Sequence, residues 1–524
     1  MSDPVAGPAA PAASTIPVRP VEVALLASVF IVAACGLVYE LAAGTLASYL
    51  LGDSILQFST VIGTYLFAMG VGSWLSRYLE RQLLAQFLRI ELLVGLIGGL
   101  MPAALFALQS LATPSFRFAL YALVLAVGIL VGLEIPLVMR ILKRHAGGPN
   151  GGLKTLVSQV LTFDYLGALA VAIAFPLLFV PQLGLIRTGA FFGLMNAAVA
   201  VWALWLFRAE LRGFAAHAAA AALTIAALVA AFAGADLVTS WAEDRFYADR
   251  VIYSETSAYQ RVVVTASPAG VRLFLNGNLQ FHSRDEYRYH EALVHPALAA
   301  QGAPRRVLVL GGGDGMAVRE VLKYASVERV TLVELDPHMT QLFSTAPLLR
   351  RLNGDSLHSP KLTIVNADAF AWLEQHDETF DAIVVDFPDP TNFSIGKLYT
   401  RTFYELVERH LSASGYAVVQ TTSPLIARKS FWTVVTTIEA AGLTTAPYHA
   451  HVPSFGEWGF IVASRRPFRL ASTLPPSLRF LTVAGLPALF DFPPDMARVP
   501  AEVNRLSNQV LVQTFEDEWG KVQR

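Results

Sequence analysis

The order of apolar and polar positions divides the chain into two parts suited to different solvents. Between residues 21 and 236 it runs as long, nearly uncharged apolar stretches at about 21–50, 57–76, 90–111, 117–139, 155–180, 187–207 and 214–236. Each is near the roughly 20 residues a helix needs to cross a hydrocarbon layer, so the pattern predicts seven transmembrane segments. The first is too long, and too well followed by others, to be a cleaved leader. The first 20 residues, rich in Pro and Ala, read as a disordered tail.

After Asp236 the period changes. Residues 261–266 and 271–276 alternate like two strands around Ser267-Pro268-Ala269-Gly270, a hairpin signal. Short apolar runs at 307–310, 330–333, 362–365, 382–385 and 416–420 then alternate with helical stretches, which predicts a doubly wound, mostly parallel sheet. The expected architecture is an α-helical transmembrane bundle at 21–236 and a linker with a small β-hairpin subdomain at 237–300. An α/β Rossmann-like domain follows at 301–467, then a Pro-rich and later helical tail at 468–524.

Composition narrows the function. Of 524 residues, 54% are apolar, which suits lipid-embedded segments. A net charge of −1 with no basic stripe removes most of the case for nucleic acid. The single cysteine, Cys35, excludes an intrachain disulfide and a thiolate metal cluster. Glu40, Glu134 and Asp164 lie inside the apolar spans, where a charged carboxylate is costly unless paired or wet. Pairing within the bundle is the expectation, and a path for a polyamine cation is the alternative. Gly63, Gly70 and Gly72 suit close helix contacts.

Loop charges set an orientation. Arg77, Arg81, Arg89, Arg140, Lys143, Arg144, Lys154, Arg208 and Arg212 fall in alternate connections, which places these loops and the amino terminus in the cytoplasm. Seven full crossings would put everything after Asp236 outside. An intracellular enzyme needs an even count, and the Ala-rich segment 214–236, with His217 near its start, is the candidate for a re-entrant or interfacial helix.

The chemistry-bearing residues cluster at strand ends. Gly311-Gly312-Gly313-Asp314-Gly315 follows an apolar strand and opens a helix, a turn that lets backbone N–H groups approach a ligand. About twenty residues on, Glu334 ends the second strand, where an acid hydrogen-bonds ribose hydroxyls. Asp368 follows the third strand and is placed to accept from an adenine amino group or to cap a helix. Asp314 would repel a phosphate or a donor carboxylate and attract an ammonium. That favours decarboxylated S-adenosylmethionine over S-adenosylmethionine itself. Asp386 and Asp389 end the fourth strand, where open sheets of this kind bind ligands. Asp386 is the natural general base for an amine attacking a carbon beside a sulfonium, and Asp389 an anchor for the cation.

Taken together, Tyr259-Gln260, Leu275 to Gln280, Asp285 to Glu291, the glycine-rich turn, Val333 to Asp336 and Asp386 to Pro390 resemble successive motifs of the spermidine synthase family over about 255–465. The apolar half resembles the membrane extension of some bacterial members. The resemblance implies a fold like that of S-adenosylmethionine methyltransferases and transfer of an aminopropyl group from decarboxylated S-adenosylmethionine to putrescine, giving spermidine and methylthioadenosine. It implies that Gln260, Glu334, Asp368 and Ala369 contact the methylthioadenosine portion. His290 and Asp314 would face the amine, Tyr289 would line the site, and Asp386 would take the proton. The donor is a co-substrate, and neither metal nor redox cofactor is expected. A homodimer or higher homo-oligomer, in the inner membrane of a bacterium with its catalytic domain in the cytoplasm, completes the expectation.

The chain departs from the family pattern at Asn276-Gly277, at Phe387-Pro388 between the two carboxylates, and at Phe455, where a tyrosine commonly faces the amine. These leave the acceptor open among putrescine, cadaverine, agmatine and longer amines. Two other functions use the same residues: an S-adenosylmethionine methyltransferase, and a polyamine transporter or sensor whose carboxyl-terminal domain only binds.

Overall fold

The computed structural model describes residues 20–51, 54–111, 113–145, 153–257 and 259–521. The expected disordered tail lies almost wholly outside them. The chain divides into a helical unit drawn from residues before 243 and an α/β unit built mainly from those after it.

The helical unit holds α1 (Pro20–Leu51), α2 (Ser54–Leu75), α3 (Leu83–Leu111), α4 (Thr113–His145), α5 (Leu153–Ala174), α6 (Val180–Leu206) and α7 (Phe214–Ala233). A π-helical turn, Phe175–Phe179, joins α5 to α6, and Gly184 (φ 71°) breaks the helical path just beyond it. By length and composition six stretches among the described residues are candidates to cross a membrane, with Lys154–Leu206 counted as one. His217 is buried within the seventh helix.

Close approach is concentrated at particular glycines. A Cβ at Gly72 would lie 2.0 Å from the Ile129 carbonyl oxygen, and one at Gly132 2.2 Å from that of Met69, so α2 and α4 meet backbone to backbone. Gly63 and Gly70 face open space, so of the three glycines singled out only Gly72 makes such a contact. The reason is helical phase: a glycine serves packing only on the face its neighbour covers.

The helix α8 (Ala235–Phe246) runs across the boundary at 243, and the α/β unit then has an antiparallel sheet in the order β1-β2-β3-β4: β1 (Arg250–Thr256), β2 (Arg261–Ser267), β3 (Gly270–Leu275) and β4 (Asn278–His282). The predicted hairpin is its centre. Asn276 (φ 49°) and Gly277 (φ 82°) make the turn between β3 and β4, which needs two left-handed residues in succession. Next come α9 (Glu286–Gln301), β5 (Arg306–Gly311), α10 (Met316–Val321), β6 (Arg329–Glu334), β7 (Leu362–Asn366), β8 (Phe380–Asp386), β9 (Leu411–Thr421), β10 (Thr444–Val452) and β11 (Gly456–Ser464).

The large sheet runs β10-β11-β9-β8-β5-β6-β7. The five contiguous strands from β9 to β7 are parallel, as predicted, and β10 and β11 add an antiparallel edge that the sequence pattern had not marked. Val307, Leu308, Val309 and Leu310 are all fully buried, which is why this strand reads as an unbroken apolar run. The chain leaves β5 toward β6 and β7, then returns to its other side at β8. The order therefore reverses at β5 and opens a crevice at the carboxyl ends of β5 and β8, where such sheets bind ligands.

The tail after 467 is part of this unit. The buried Glu291 carboxylate accepts from the backbone N–H groups of Arg479, Phe480 and Leu481 at 2.7, 2.8 and 3.0 Å. Glu518 accepts from those of Lys429 and Ser430 at 2.8 and 2.9 Å, at the start of the helix Arg428–Ala440.

Candidate active site

The glycine turn works by letting acids come close. Gly311, the last residue of β5, pairs in register with Asp386, the last of β8. A Cβ there would lie 2.3 Å from the Asp386 carbonyl oxygen, and one at Gly312 would lie 3.0 Å from Asp386 Oδ2. Both residues also have positive φ, at 77° and 68°, so glycine is required twice over. At Gly313 a Cβ would lie 2.8 Å from Glu334 Oε2.

Glu334 hangs beneath this turn. Its Oε2 accepts from the Gly313 N–H at 3.0 Å and its Oε1 from the Asp336 N–H at 2.9 Å. Burial raises its pKa and these donors oppose the rise, leaving the group pushed up to about 7. Gln260 donates to Asp336 Oδ2 at 3.1 Å, so the small sheet is tied to the end of β6.

Asp368 uses its oxygens within the protein. Oδ1 accepts from the Phe370 and Ala371 N–H groups at 2.9 and 3.2 Å, and Oδ2 pairs with Lys397 Nζ at 2.6 Å. Burial would raise this carboxyl, but Lys397 and the backbone donors hold it below its ordinary value. Ala369 is the buried first residue of the helix that Asp368 caps. To accept from an adenine amino group, Asp368 would have to share an oxygen with Lys397.

Asp386 is held from the opposite side by α9. Tyr289 Oη donates to its Oδ1 at 2.6 Å. Depth in the crevice pushes Asp386 up to about 6; His290 and the Tyr289 bond lower it, while the Asp314 charge raises it. Asp389 is pushed up to about 7 by burial, and its Oδ1 carries no hydrogen-bond partner among the described residues. A base poised near neutrality beside an unpaired carboxylate suits removal of a proton from a bound cation.

Asp314 stands just before Gly315, the N-cap of α10, and its Oδ1 accepts from the Met316 N–H at 2.9 Å. Burial raises this carboxyl, against the lowering influence of His290 and the Met316 N–H. The His290 ring sits with Nδ1 on Glu286 Oε2 at 2.8 Å and on the Glu286 carbonyl at 2.9 Å. Burial would lower it, but Glu286, with help from Asp314 and Asp386, outweighs that and pushes it up to about 9. Histidine and carboxylates therefore favour one another's charged forms, an effect that outweighs burial at His290 but not at Asp314 or Asp386.

Four supports were not singled out from sequence. Arg319 on α10 grips Glu286 at 3.1 and 2.9 Å and Glu320 at 2.9 Å, bolting the helix after the glycine turn to α9. The Glu286 and His290 spacing of four on one helix was the available signal. Tyr399 donates to the Pro388 carbonyl at 3.0 Å, and Gln420 bonds both the Phe387 carbonyl and Tyr399. Trp458 in turn donates to Gln420 at 3.1 Å. Those contacts join residues far apart in sequence and leave no local trace. Phe455 packs near Tyr289 and Trp458, with ring centroids 6.2 and 5.2 Å apart. Glu457 turns to His449 at 2.8 Å and His451 at 3.1 Å, so it is engaged with these two histidines.

The Glu286 contact yields a direct test. Glu286→Gln should bring His290 down from about 9 toward the ordinary histidine value of about 6.5. Titration of carbon-13-labelled histidine in the full chain would read it. An unmoved His290 would show that Glu286 is not what keeps the ring charged.

Comparison with known proteins places this geometry among relatives. Residues 286–470 match the family model of the spermine/spermidine synthase domain. A protein of Ralstonia nicotianae named polyamine aminopropyltransferase 1 is 56% identical over 521 residues, covering 98% of each chain. One of Leptospira interrogans named polyamine aminopropyltransferase is 50% identical over 501 residues, covering 96% of this chain and 99% of its own. Among solved structures, a spermidine synthase in complex with the transition-state analogue AdoDATO aligns with 27% identity and a TM-score of 0.43, covering 47% of this chain and 86% of its own.

Proposed function

Since the chain belongs to the spermidine synthase family of polyamine aminopropyltransferases, we propose that it moves the aminopropyl group of decarboxylated S-adenosylmethionine to putrescine, with Asp386 as the general base. The amine nitrogen uses its lone pair to form a bond to the propyl carbon next to sulfur. The carbon–sulfur bond breaks, its electron pair returns to sulfur, and the neutral thioether methylthioadenosine leaves. Asp386 takes the proton that the new carbon–nitrogen bond makes acidic.

One observation supports this most: Asp386 Oδ2 faces the bare Cα of Gly312 while its other oxygen is held by Tyr289. The base thus stands at the lip of the turn that cradles the donor. Holding two reactants in that geometry supplies much of the rate. Glu334 would take the ribose hydroxyls, Gln260, Asp368 and Ala369 would flank the nucleoside, and His290, Asp314 and Asp389 would set the charge around the amine chain. The helical unit would anchor the enzyme in the cell membrane with the α/β unit in the cytoplasm, where the donor is made.

Two tests follow from the charges. Asp386 works only when ionised, so turnover should rise with pH through about 6 and follow a single ionisation on the acid side. Tyr289→Phe removes a hydrogen bond that lowers Asp386. Its acid limb should therefore move to higher pH, and a limb that stays put or moves down would reject Asp386 as the ionising group. Incubation of the full chain with the donor and a panel of diamines, following methylthioadenosine release, tests the reaction itself. No release with any amine would overturn it.

A further inference from the structure

The helical unit buries two carboxylates that the reaction does not use. Glu91 on α3 and Glu134 on α4 are 0% and 1% exposed, and none of their four oxygens has a hydrogen-bond partner among the described residues. Each lies in the other's field. Glu91 is the second residue of the apolar run at 90–111, and because α3 already begins at Leu83 it stands two turns inside the helix rather than at its end.

Two further polar groups converge on the same place. The Tyr39 hydroxyl on α1 and both ends of the Asn196 carboxamide on α6 are buried and unpartnered. Tyr39 lies within the field of both carboxylates, and its ring covers Gly98 on α3, where a Cβ would come within 2.7 Å. One turn back, Cys35 Sγ donates to the Phe192 carbonyl at 3.3 Å, which joins α1 to α6 one turn before Asn196. A Cβ at Gly95, one turn beyond Glu91, would lie 3.1 Å from Asn196 Cβ. Four helices therefore bring two carboxylates, a carboxamide and a phenol to one level of the bundle.

Uncompensated acids at such depth are costly, and among the described residues no Lys or Arg bears on either carboxylate, while Asp164 adds a further negative charge near Glu134. A metal ion is a poor match, since no group of three His, Cys, Asp or Glu among the described residues is arranged to hold one. Carboxylate, amide and phenol oxygens around an aromatic ring instead suit a primary ammonium, which brings three donors, a positive charge that a ring face attracts, and an apolar stem. We propose that Tyr39, Glu91, Glu134 and Asn196 form a second site, separate from the transfer chemistry, that binds the ammonium end of a diamine or polyamine. The choice of amine rests on the chain's family activity; the convergence of the four groups does not.

The test uses the full chain in lipid nanodiscs. Labelled spermidine and labelled putrescine are bound in parallel to the parent protein, to Glu91→Gln/Glu134→Gln and to Asp386→Asn, with methylthioadenosine release measured on each. The parent should hold one more equivalent of at least one amine than Glu91→Gln/Glu134→Gln, which keeps aminopropyl transfer. Asp386→Asn should lose transfer and retain the extra equivalent. Equal stoichiometry in parent and double variant would overturn the site, whatever the outcome for transfer. As a readout free of folding effects, a hydrophobic carbodiimide should modify Glu91 or Glu134 in the parent protein, and spermidine or putrescine should slow it at least fivefold. Protection by sodium or potassium alone, or by neither amine, would also overturn the proposal.

Discussion

Asp386→Asn should lower the rate of methylthioadenosine formation by about 10²–10⁴-fold, the range typical for loss of a positioned general base. The replacement keeps the size of the side chain and an oxygen able to accept from Tyr289 Oη, now 2.6 Å from Oδ1. It also leaves the close pairing of Gly311 with residue 386 intact, because that contact is made by the backbone carbonyl. Donor binding and thermal unfolding should therefore change little while turnover collapses. Parallel measurement of donor affinity, melting and single-turnover rate separates these. A variant that turns over within about fivefold of the parent would remove Asp386 from the chemistry and shift attention to Asp389, the other carboxylate of the crevice, with its unpartnered Oδ1.

Asp314→Asn should erode the preference for the decarboxylated donor. The side chain is only 8% exposed and one of its oxygens is committed to the Met316 N–H. A donor ending in an ammonium meets a favourable charge there, and one carrying an added carboxylate meets a repulsive one. A charged hydrogen bond in such a place is worth about 1.5–3 kcal/mol, so the affinity ratio between decarboxylated and intact S-adenosylmethionine should fall by about 10- to 100-fold. Asparagine can still accept from Met316, so the helix start should survive. An unchanged ratio would show that the turn does not read the missing carboxylate. A methyltransferase would already prefer the intact compound in the parent protein.

The acids of the site were legible because each sits at the end of an apolar strand. Glu334 and Asp386 follow runs of Val and Leu that can only be interior parallel strands, and the glycines announce a turn that something must approach. Asp368 shows the limit of that signal. The same position serves a ligand acceptor and a helix cap, and Lys397, 29 residues away, bears on which of its oxygens are free. Likewise nothing local to Glu457 shows its partners, which pairing of β10 with β11 supplies by setting His449 and His451 beside it. The antiparallel edge itself went unmarked because Pro447, Tyr448, two histidines and two glycines interrupt its apolar pattern.

What the amino-acid order determined by itself was the division into a long-apolar helical half and an α/β half, the parallel sheet and the places where its strands end in acids. These follow from periodicity and from backbone requirements at glycine, which are local. What only the tertiary structure decided was the company each charge keeps. The ionisation of Asp386 depends on Tyr289, 97 residues before it in the chain, and on His290. His290 in turn depends on Glu286, and Glu286 on Arg319 across two helices. Acidity responds to burial and to charges within a few ångströms, and distance through space is the quantity that sequence spacing does not carry. The glycine turn opened the site, and the long-range packing around it set the charges with which it works.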